Sequence, residues 1–206
     1  MTSEPLVLGF DTSAAHCAAA LLRGSDVLVC RLEEMSRGQA ERLMPLLEEV
    51  LAEGGASWQD LAAIGVGVGP GNFTGIRIAV SAARGLALGL EIPAVGVDGF
   101  EARAAEGTLA AVPAPRDQVY AALPGQHGRE APRLMPRAAA EEAARGAGLA
   151  FAPEASPAGI AEAIARIAIT RLDGPVEAPA PLYLRAADAA PARDLPPVLL
   201  DGRSPR

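Results

Sequence analysis

One segment constrains the fold of this chain more than any other: IGVGVGPGNFTGIR, Ile64 to Arg77. Its first half alternates glycine with β-branched residues and reads as a strand over Ile64 to Val68. Gly69-Pro70-Gly71 then stops the strand. From Thr74 to Leu88 an apolar stretch with helical spacing follows. Ala79, Ala82, Ala83 and Gly85 leave little side chain on that helix, so another backbone can approach it closely. A strand that turns through glycines into a helix is the basic unit of α/β folds.

The loop has two readings. In the first it holds a phosphate. The amides of Gly71, Asn72 and Phe73 would face one space before the helix N-terminus, whose partial positive charge favours anions. Arg77, one turn in, would add a full charge. On this reading Gly69, Gly71, Asn72, Thr74, Gly75 and Arg77 are candidate site residues. In the second reading the glycines make a tight turn and let the helix pack closely. The chain contains no lysine, and all 18 basic residues are arginines. A Walker lysine, a Schiff-base lysine and a lysine general base are therefore excluded. The spacing of the dinucleotide fingerprint is missing as well.

The second candidate is Asp11-Thr12-Ser13, which follows the buried strand Leu6 to Phe10. A carboxylate and two hydroxyls at a strand end can hold a phosphate-bound metal or orient a water. The same residues also form Asx and Ser/Thr turns that satisfy backbone donors. Ser13, Ser36 and Ser81 are serines without a histidine in an elbow motif, so a Ser-His-Asp triad is not indicated. Glu41 and Asp11 are carboxylates that nothing in the sequence brings together. Cys17, Cys30, His16 and His127 do not make a familiar zinc cluster. The two cysteines read as strand residues in a reducing compartment.

A first lobe can be drawn around the loop. HCAAALL and VLVCRL are strands joined by a hairpin turn at Arg23 to Asp26. A helix from Gly38 to Glu53 carries Ala40, Leu43, Met44, Leu47, Val50 and Leu51 on one stripe. Ser36 or Gln39 would cap it, and Gly54-Gly55 stops it. Pro45 falls inside and is expected to kink it unless the first turn begins later. Leu46 lies off the stripe and suggests a second apolar contact. A short helix capped by Ser57 and a strand at Ala94 to Val97 complete an α/β lobe with antiparallel strands first and parallel additions after. Prolines break the remainder into shorter pieces. DQVYAALP reads as a strand and PRAAAEEAARGAG as a helix. SPAGIAEAIARIAITRL is a helix with Ser156 as N-cap and Pro157 at its first position. APLYLRAAD reads as short and extended, and the tail after Pro191 as loose.

With a net charge of -7, the chain is a poor independent binder of nucleic acid. The start, MTSEPLVLGFDTS, lacks a basic region and a long apolar stretch, so no secretory signal is expected. No uninterrupted apolar run reaches membrane-spanning length. A cytoplasmic location is expected.

LGFDTS, RGQAERLMPLLEEVL, GVGPGNFTGIRIAVSAARGLALGL, RDQVYAAL and PLYLR occur here in the order found in the bacterial TsaB (YeaZ) family, which the chain resembles. The match is dense over the first 100 residues and rests on two short motifs beyond them. The resemblance implies an actin-like, sugar-kinase-like α/β fold of two related lobes. Residues 1–99 would form the first and 100–206 a reduced second with a proline-rich tail. It implies a subunit without catalytic residues or metal, acting in the synthesis of tRNA threonylcarbamoyladenosine. The catalytic paralogue TsaD carries a His-x-x-x-His pair on the helix matching residues 39 to 52, and this chain has no histidine there. Many relatives begin that helix His-Ser-Glu; here it reads Gln39-Ala40-Glu41, so a role for that histidine does not carry over. The Asp-Gly-Gly of second-lobe nucleotide sites is missing too.

The resemblance further implies a heterodimer with a TsaD-like paralogue through the first-lobe helices, on which a TsaE-like ATPase docks. Gln39, Glu41, Arg42, Leu43, Leu46, Val80 and Arg84 are the interface candidates, with Leu46 foremost. ATP or ADP and a divalent metal are expected only in the complex, tRNA contact only through it, and a homodimer when the partner is missing. Two other readings remain: an independent actin-like ATPase or small-molecule kinase, and, with less support, a peptidase.

Overall fold

A computed structural model describes residues 4–125, 128–151 and 156–184. His127, Arg185 and the proline-rich tail lie outside the described residues. Twelve strands and four helices are described. In the first hundred residues they are β1 (Leu6–Asp11), β2 (His16–Arg23), β3 (Asp26–Glu34), α1 (Gln39–Glu53), β4 (Ala63–Gly67), α2 (Phe73–Leu90) and β5 (Ala94–Val97). Next come β6 (Thr108–Leu109), β7 (Ala111–Ala114), β8 (Gln118–Ala121), β9 (Pro124–Gly125), β10 (Gly128–Arg129), β11 (Arg133–Pro136), α3 (Arg137–Gly146), β12 (Ala150–Phe151) and α4 (Pro157–Thr170).

The main sheet has the order β3-β2-β1-β4-β5. The first three strands are antiparallel, and β4 and β5 add in parallel. This is the antiparallel-then-parallel order expected from the sequence. The β1 sequence LVLGFD is apolar almost throughout because both faces of the sheet are covered. Leu6, Leu8 and Phe10 pack with α1 and α2, while Val7 packs with α4. Gly9 is on the α4 side. A Cβ there would lie 2.6 Å from the Ala161 carbonyl oxygen and 2.7 Å from the Ala165 amide nitrogen. Glycine at this position therefore sets the distance between helix and sheet. Alanines at 161, 165 and 168, all fully buried, complete the same close contact. So α4, although it comes from the C-terminal half of the chain, closes the second face of the N-terminal sheet.

Beyond β5 the described residues form a three-stranded antiparallel sheet, β11-β8-β7, and the short pairs β12-β6 and β10-β9. Phe100, Ala110, Val112 and Tyr120 form a small core there, against which Leu182 and Leu184 pack.

Several local expectations change. The N-cap of α1 is Gly38, at φ 89°, with no side-chain cap; neither Ser36 nor Gln39 serves. Gln39 instead donates from Nε2 to the Met35 carbonyl, 3.2 Å away. The helix runs on through Pro45 to Glu53. Pro45 lies on the exposed side, where its missing N–H and crowded neighbour cost least. Leu46 is 1% exposed and belongs to the core of the main sheet. The apolar stripe of α1 is simply broader than the one drawn from the sequence. The segment 178–184 forms no regular element. The helix α2 has 18 residues and a mean hydropathy of 1.3, so by length and composition it is apolar enough to cross a membrane. The interruption of its apolar run by Arg77 and Arg84 concealed this in the sequence. Here α2 lays Ile76, Ala79, Val80 and Ala83 on the sheet. Among the expectations that hold, Ser156 Oγ accepts from the Gly159 amide at 3.1 Å as the N-cap of α4.

The two thiols differ in accessibility. Cys17 is buried, and burial, with Glu33 nearby, pushes its pKa up to about 11. Cys30 is exposed on β3 and donates to the Ala158 carbonyl. A cysteine-directed alkylating reagent at about pH 8 should therefore modify Cys30 first and reach Cys17 only on unfolding, because the thiolate is the nucleophile. Mass spectrometry of peptides along the time course checks this, and equal labelling of both residues would refute it.

Candidate functional site

The ends of β1, β4 and β5 meet where strand termini in open α/β sheets form ligand crevices. Asp11 closes β1 and is 2% exposed. Its Oδ2 accepts from the Ser13 amide at 3.2 Å, the Ser13 hydroxyl at 2.9 Å and lies 2.8 Å from His16 Nε2. The turn reading of Asp-Thr-Ser is thus realised, with His16 as a further partner. The β1-to-β2 turn brings this histidine back beside the carboxylate. The cue in the sequence was the hairpin itself, since β2 runs antiparallel to β1 and starts at His16.

The glycine loop packs directly onto this turn. Thr12 Oγ1 donates to the Gly75 carbonyl at 2.7 Å, fully buried. The Asn72 amide donates to the Ser13 carbonyl at 2.6 Å. Asn72 Oδ1 accepts from the amides of Thr74 and Gly75, at 2.9 and 3.1 Å, and so caps α2. Of the three amides expected to meet an anion, that of Asn72 is engaged inside the chain. Asn72 is thereby withdrawn from the convergence expected of the Gly71, Asn72 and Phe73 amides. The glycines serve close approach. A Cβ on Gly67 would lie 2.1 Å from Asp11 Oδ1, and one on Gly75 would lie 1.9 Å from the Thr12 carbonyl oxygen. Gly71 sits equally tightly on Ser13, and Gly69 on Ile76.

Arg77 is engaged by two aromatic residues at the start of α2. Its guanidinium lies 4.0 Å from the centre of the Phe73 ring, and Nε donates to the Tyr183 hydroxyl at 2.9 Å. The rings of Phe73 and Tyr183 are 4.7 Å apart. Together with the Leu182 amide, which donates to the Val68 carbonyl at 2.7 Å, this stack fastens residues 182–183 to the loop and α2.

Two residues near Asp11 were not singled out from the sequence. Asp98 follows β5 as Asp11 ends β1, a parallel that the sequence does contain. Its Oδ1 accepts from the amides of Phe100 and Glu101, and burial nonetheless raises its pKa. Arg103 donates from Nη1 to the Gly99 carbonyl at 2.9 Å. Its Nε is buried and has no partner among the described residues. Burial lowers the pKa of this guanidinium, and the Asp11 charge opposes that shift. No sequence cue pointed to it. Asp11, Ser13, Asp98 and Arg103 line one cavity beneath α4, with a volume of about 10 Å³.

The candidate interface residues divide into two groups. Leu43, Leu46 and Val80 are 1%, 1% and 4% exposed, so their side chains form the chain's own core and present no face to a partner. Gln39 is half-buried, and Glu41 and Arg84 are exposed. Arg42 is held between Glu33 and Glu49, with contacts of 2.5 and 2.6 Å. Its hydrogen bonds hold the Glu33 and Glu49 carboxyls below their usual range. Among the described residues, no group of three or more His, Cys, Asp or Glu side chains is arranged to hold a metal ion.

Comparison with known proteins bears on this geometry. The family model of TsaD, tRNA N6-adenosine threonylcarbamoyltransferase, matches residues 33–144, more than half of the chain. The tRNA threonylcarbamoyladenosine biosynthesis protein TsaB of Haemophilus influenzae is 34% identical over 123 residues, 55% of this chain and 51% of the relative. TsaB of Escherichia coli is 35% identical over 122 residues, 55% and 52% of the two chains. The chain thus matches about half the length of these relatives. An uncharacterised protein of Mycobacterium tuberculosis is 32% identical over 204 residues, 90% of this chain and 94% of its own length. Among solved structures, YeaZ from Pseudomonas aeruginosa superposes with a TM-score of 0.64 at 26% identity, covering 87% of this chain and all of that one. The strand order, the glycine loop seated on its Asp-Thr-Ser turn and these matches agree: the chain is a member of the TsaB (YeaZ) family.

Proposed function

We propose that this chain is a non-catalytic subunit in the formation of tRNA threonylcarbamoyladenosine, acting in the cytoplasm. It pairs with a TsaD-like paralogue, which supplies the active site. A TsaE-like ATPase docks on that pair, and tRNA is met only through the complex. Any ATP or ADP and divalent metal belong to the complex rather than to this chain. The fold is read as an actin-like pair of lobes, residues 1–99 and a reduced 100–206, with α4 crossing back onto the first.

One observation carries the non-catalytic reading. The loop from Gly67 to Gly75, where a phosphate would be cradled, directs its central amide and its helix cap into the chain itself. It works as a joint between β1, β4 and α2. The partner face is then the outer side of α2, where Arg77, Ser81, Arg84, Gly85 and Leu88 are exposed, together with Glu41 and Glu48 of α1. Leu88 is 82% exposed, an apolar side chain on a helix already supplied with a buried stripe. Without a partner, the same face would serve a homodimer.

Deletion of the gene should deplete threonylcarbamoyladenosine from bulk tRNA, read by mass spectrometry of nucleosides, and the wild-type gene should restore it. An unchanged nucleoside level would overturn the proposal. Purified chain and TsaD-like paralogue should co-elute, and Arg84→Glu combined with Leu88→Glu should separate them without altering the melting temperature of this chain.

A further inference from the structure

The strand ends that hold Asp11 and Asp98 are where a metal-bound phosphate would sit if this chain had a nucleotide site of its own. The residues present do not fit one. The cavity between them measures about 10 Å³, the space of a single water rather than the several hundred Å³ of a small-molecule site. It also contains a guanidinium. Arg103 enters from the turn after β5, anchored through Nη1 to the Gly99 carbonyl, and its buried Nε has no hydrogen-bond acceptor among the described residues. Asp11 Oδ2 already has three donors, whereas Oδ1 has none among the described residues. The half-buried Arg103, with its unpartnered Nε, and the buried Asp11 thus border the same space. Each compensates the charge of the other in a setting where a lone charge is costly.

We propose that Arg103 is the resident counter-charge of the Asp11 site and bars divalent cations from it, so that removing this charge opens a divalent-cation site on Asp11 and Asp98. A cation approaching Asp11 meets a positive charge on the wall of the same cavity, with room for little water to weaken the repulsion. The size of the cavity reinforces this, because about 10 Å³ leaves no room for a hydrated metal beside the Arg103 wall. With Arg103 replaced by a neutral side chain, two carboxylates and the Ser13 hydroxyl face a vacated space, a set of hard oxygen ligands suited to Mg²⁺ or Mn²⁺. The proposal concerns the isolated chain, so its outcome is separable from that of the subunit reading above.

The test is titration of the purified full chain with Mn²⁺, followed by calorimetry and by the loss of the free-ion electron paramagnetic resonance signal. Wild type should show no saturable site at millimolar Mn²⁺. Arg103→Met, which keeps the apolar stem, should bind at least about tenfold more tightly, since a repulsive unit charge has gone. Asp11→Asn added to Arg103→Met should abolish the gain. Saturable binding by wild type, no gain in Arg103→Met, or a gain that survives Asp11→Asn would each overturn the proposal. Circular dichroism checks that each variant is folded, and Arg103→Gln takes the place of the methionine variant if that one is not.

Discussion

Gly75→Ala should lower the stability of this chain by about 2–3 kcal/mol, near the upper end of what overpacking costs. The added methyl would fall 1.9 Å from the Thr12 carbonyl oxygen, and that atom is backbone with no rotamer to change. Relief requires the β1 turn and the start of α2 to separate by more than an ångström. That separation strains the Thr12 hydroxyl bond to the Gly75 carbonyl, the Asn72 amide bond to the Ser13 carbonyl, and the Asp11 cluster behind them. The substitution carries an opposing gain, because alanine favours helix over glycine by about 1 kcal/mol. The clash exceeds it. For a chain of this size the net loss of 2–3 kcal/mol corresponds to a fall in melting temperature of roughly 5–10 °C. Gly85→Ala is the control. It lies in the same helix, and a Cβ there meets nothing within 4 Å. It should raise stability by about 0.5–1 kcal/mol. Thermal melts of the two variants followed by circular dichroism decide the matter. A Gly75→Ala melting temperature equal to that of Gly85→Ala would remove the close-approach account of the loop.

The contrast also shows what a sequence can convey. The glycine pattern marked a strand-to-helix turn with close packing, and the order of strands and helices up to β5 follows from period and punctuation alone. Both properties are local. The competing phosphate reading turns on where the amides point, and for Asn72 that depends on Ser13, more than fifty residues earlier in the chain. Spacing carries no record of such a contact. Arg77 illustrates the same limit. The sequence places it one turn into the helix, but its hydrogen bond to the Tyr183 hydroxyl, 106 residues away, leaves no trace in the spacing. Arg103 was invisible for a further reason. Its significance is a buried, unpartnered Nε on the wall of the cavity that Asp11 also lines, and nothing in GFEARAAEG distinguishes that arginine from a solvated one. Asp98 was partly legible, since it follows a parallel strand as Asp11 ends its own.

Leu46→Ala should destabilise the isolated chain by about 2–5 kcal/mol, the range for a buried leucine cut to alanine. Its place off the main stripe of α1 allows either a contact with a partner or burial in the chain's own core. The two roles make opposite predictions. An interface leucine is exposed in the free chain, and its truncation changes binding but leaves the free chain's melting temperature nearly unchanged. A core leucine leaves a cavity whether or not a partner is present. Leu46 is 1% exposed and packs in the cluster that includes Leu8, Phe10 and Leu47, so the core role is expected. Glu48→Ala, on the exposed side of the same helix, is the comparison and should stay within about 0.5 kcal/mol of wild type. Urea unfolding gives both values, and an unchanged slope would show that the unfolded states are comparable. If the midpoint of Leu46→Ala matched that of Glu48→Ala, α1 would have to sit with this leucine turned out of the sheet core. The apolar face available to a paralogue would then be α1 rather than the outer side of α2.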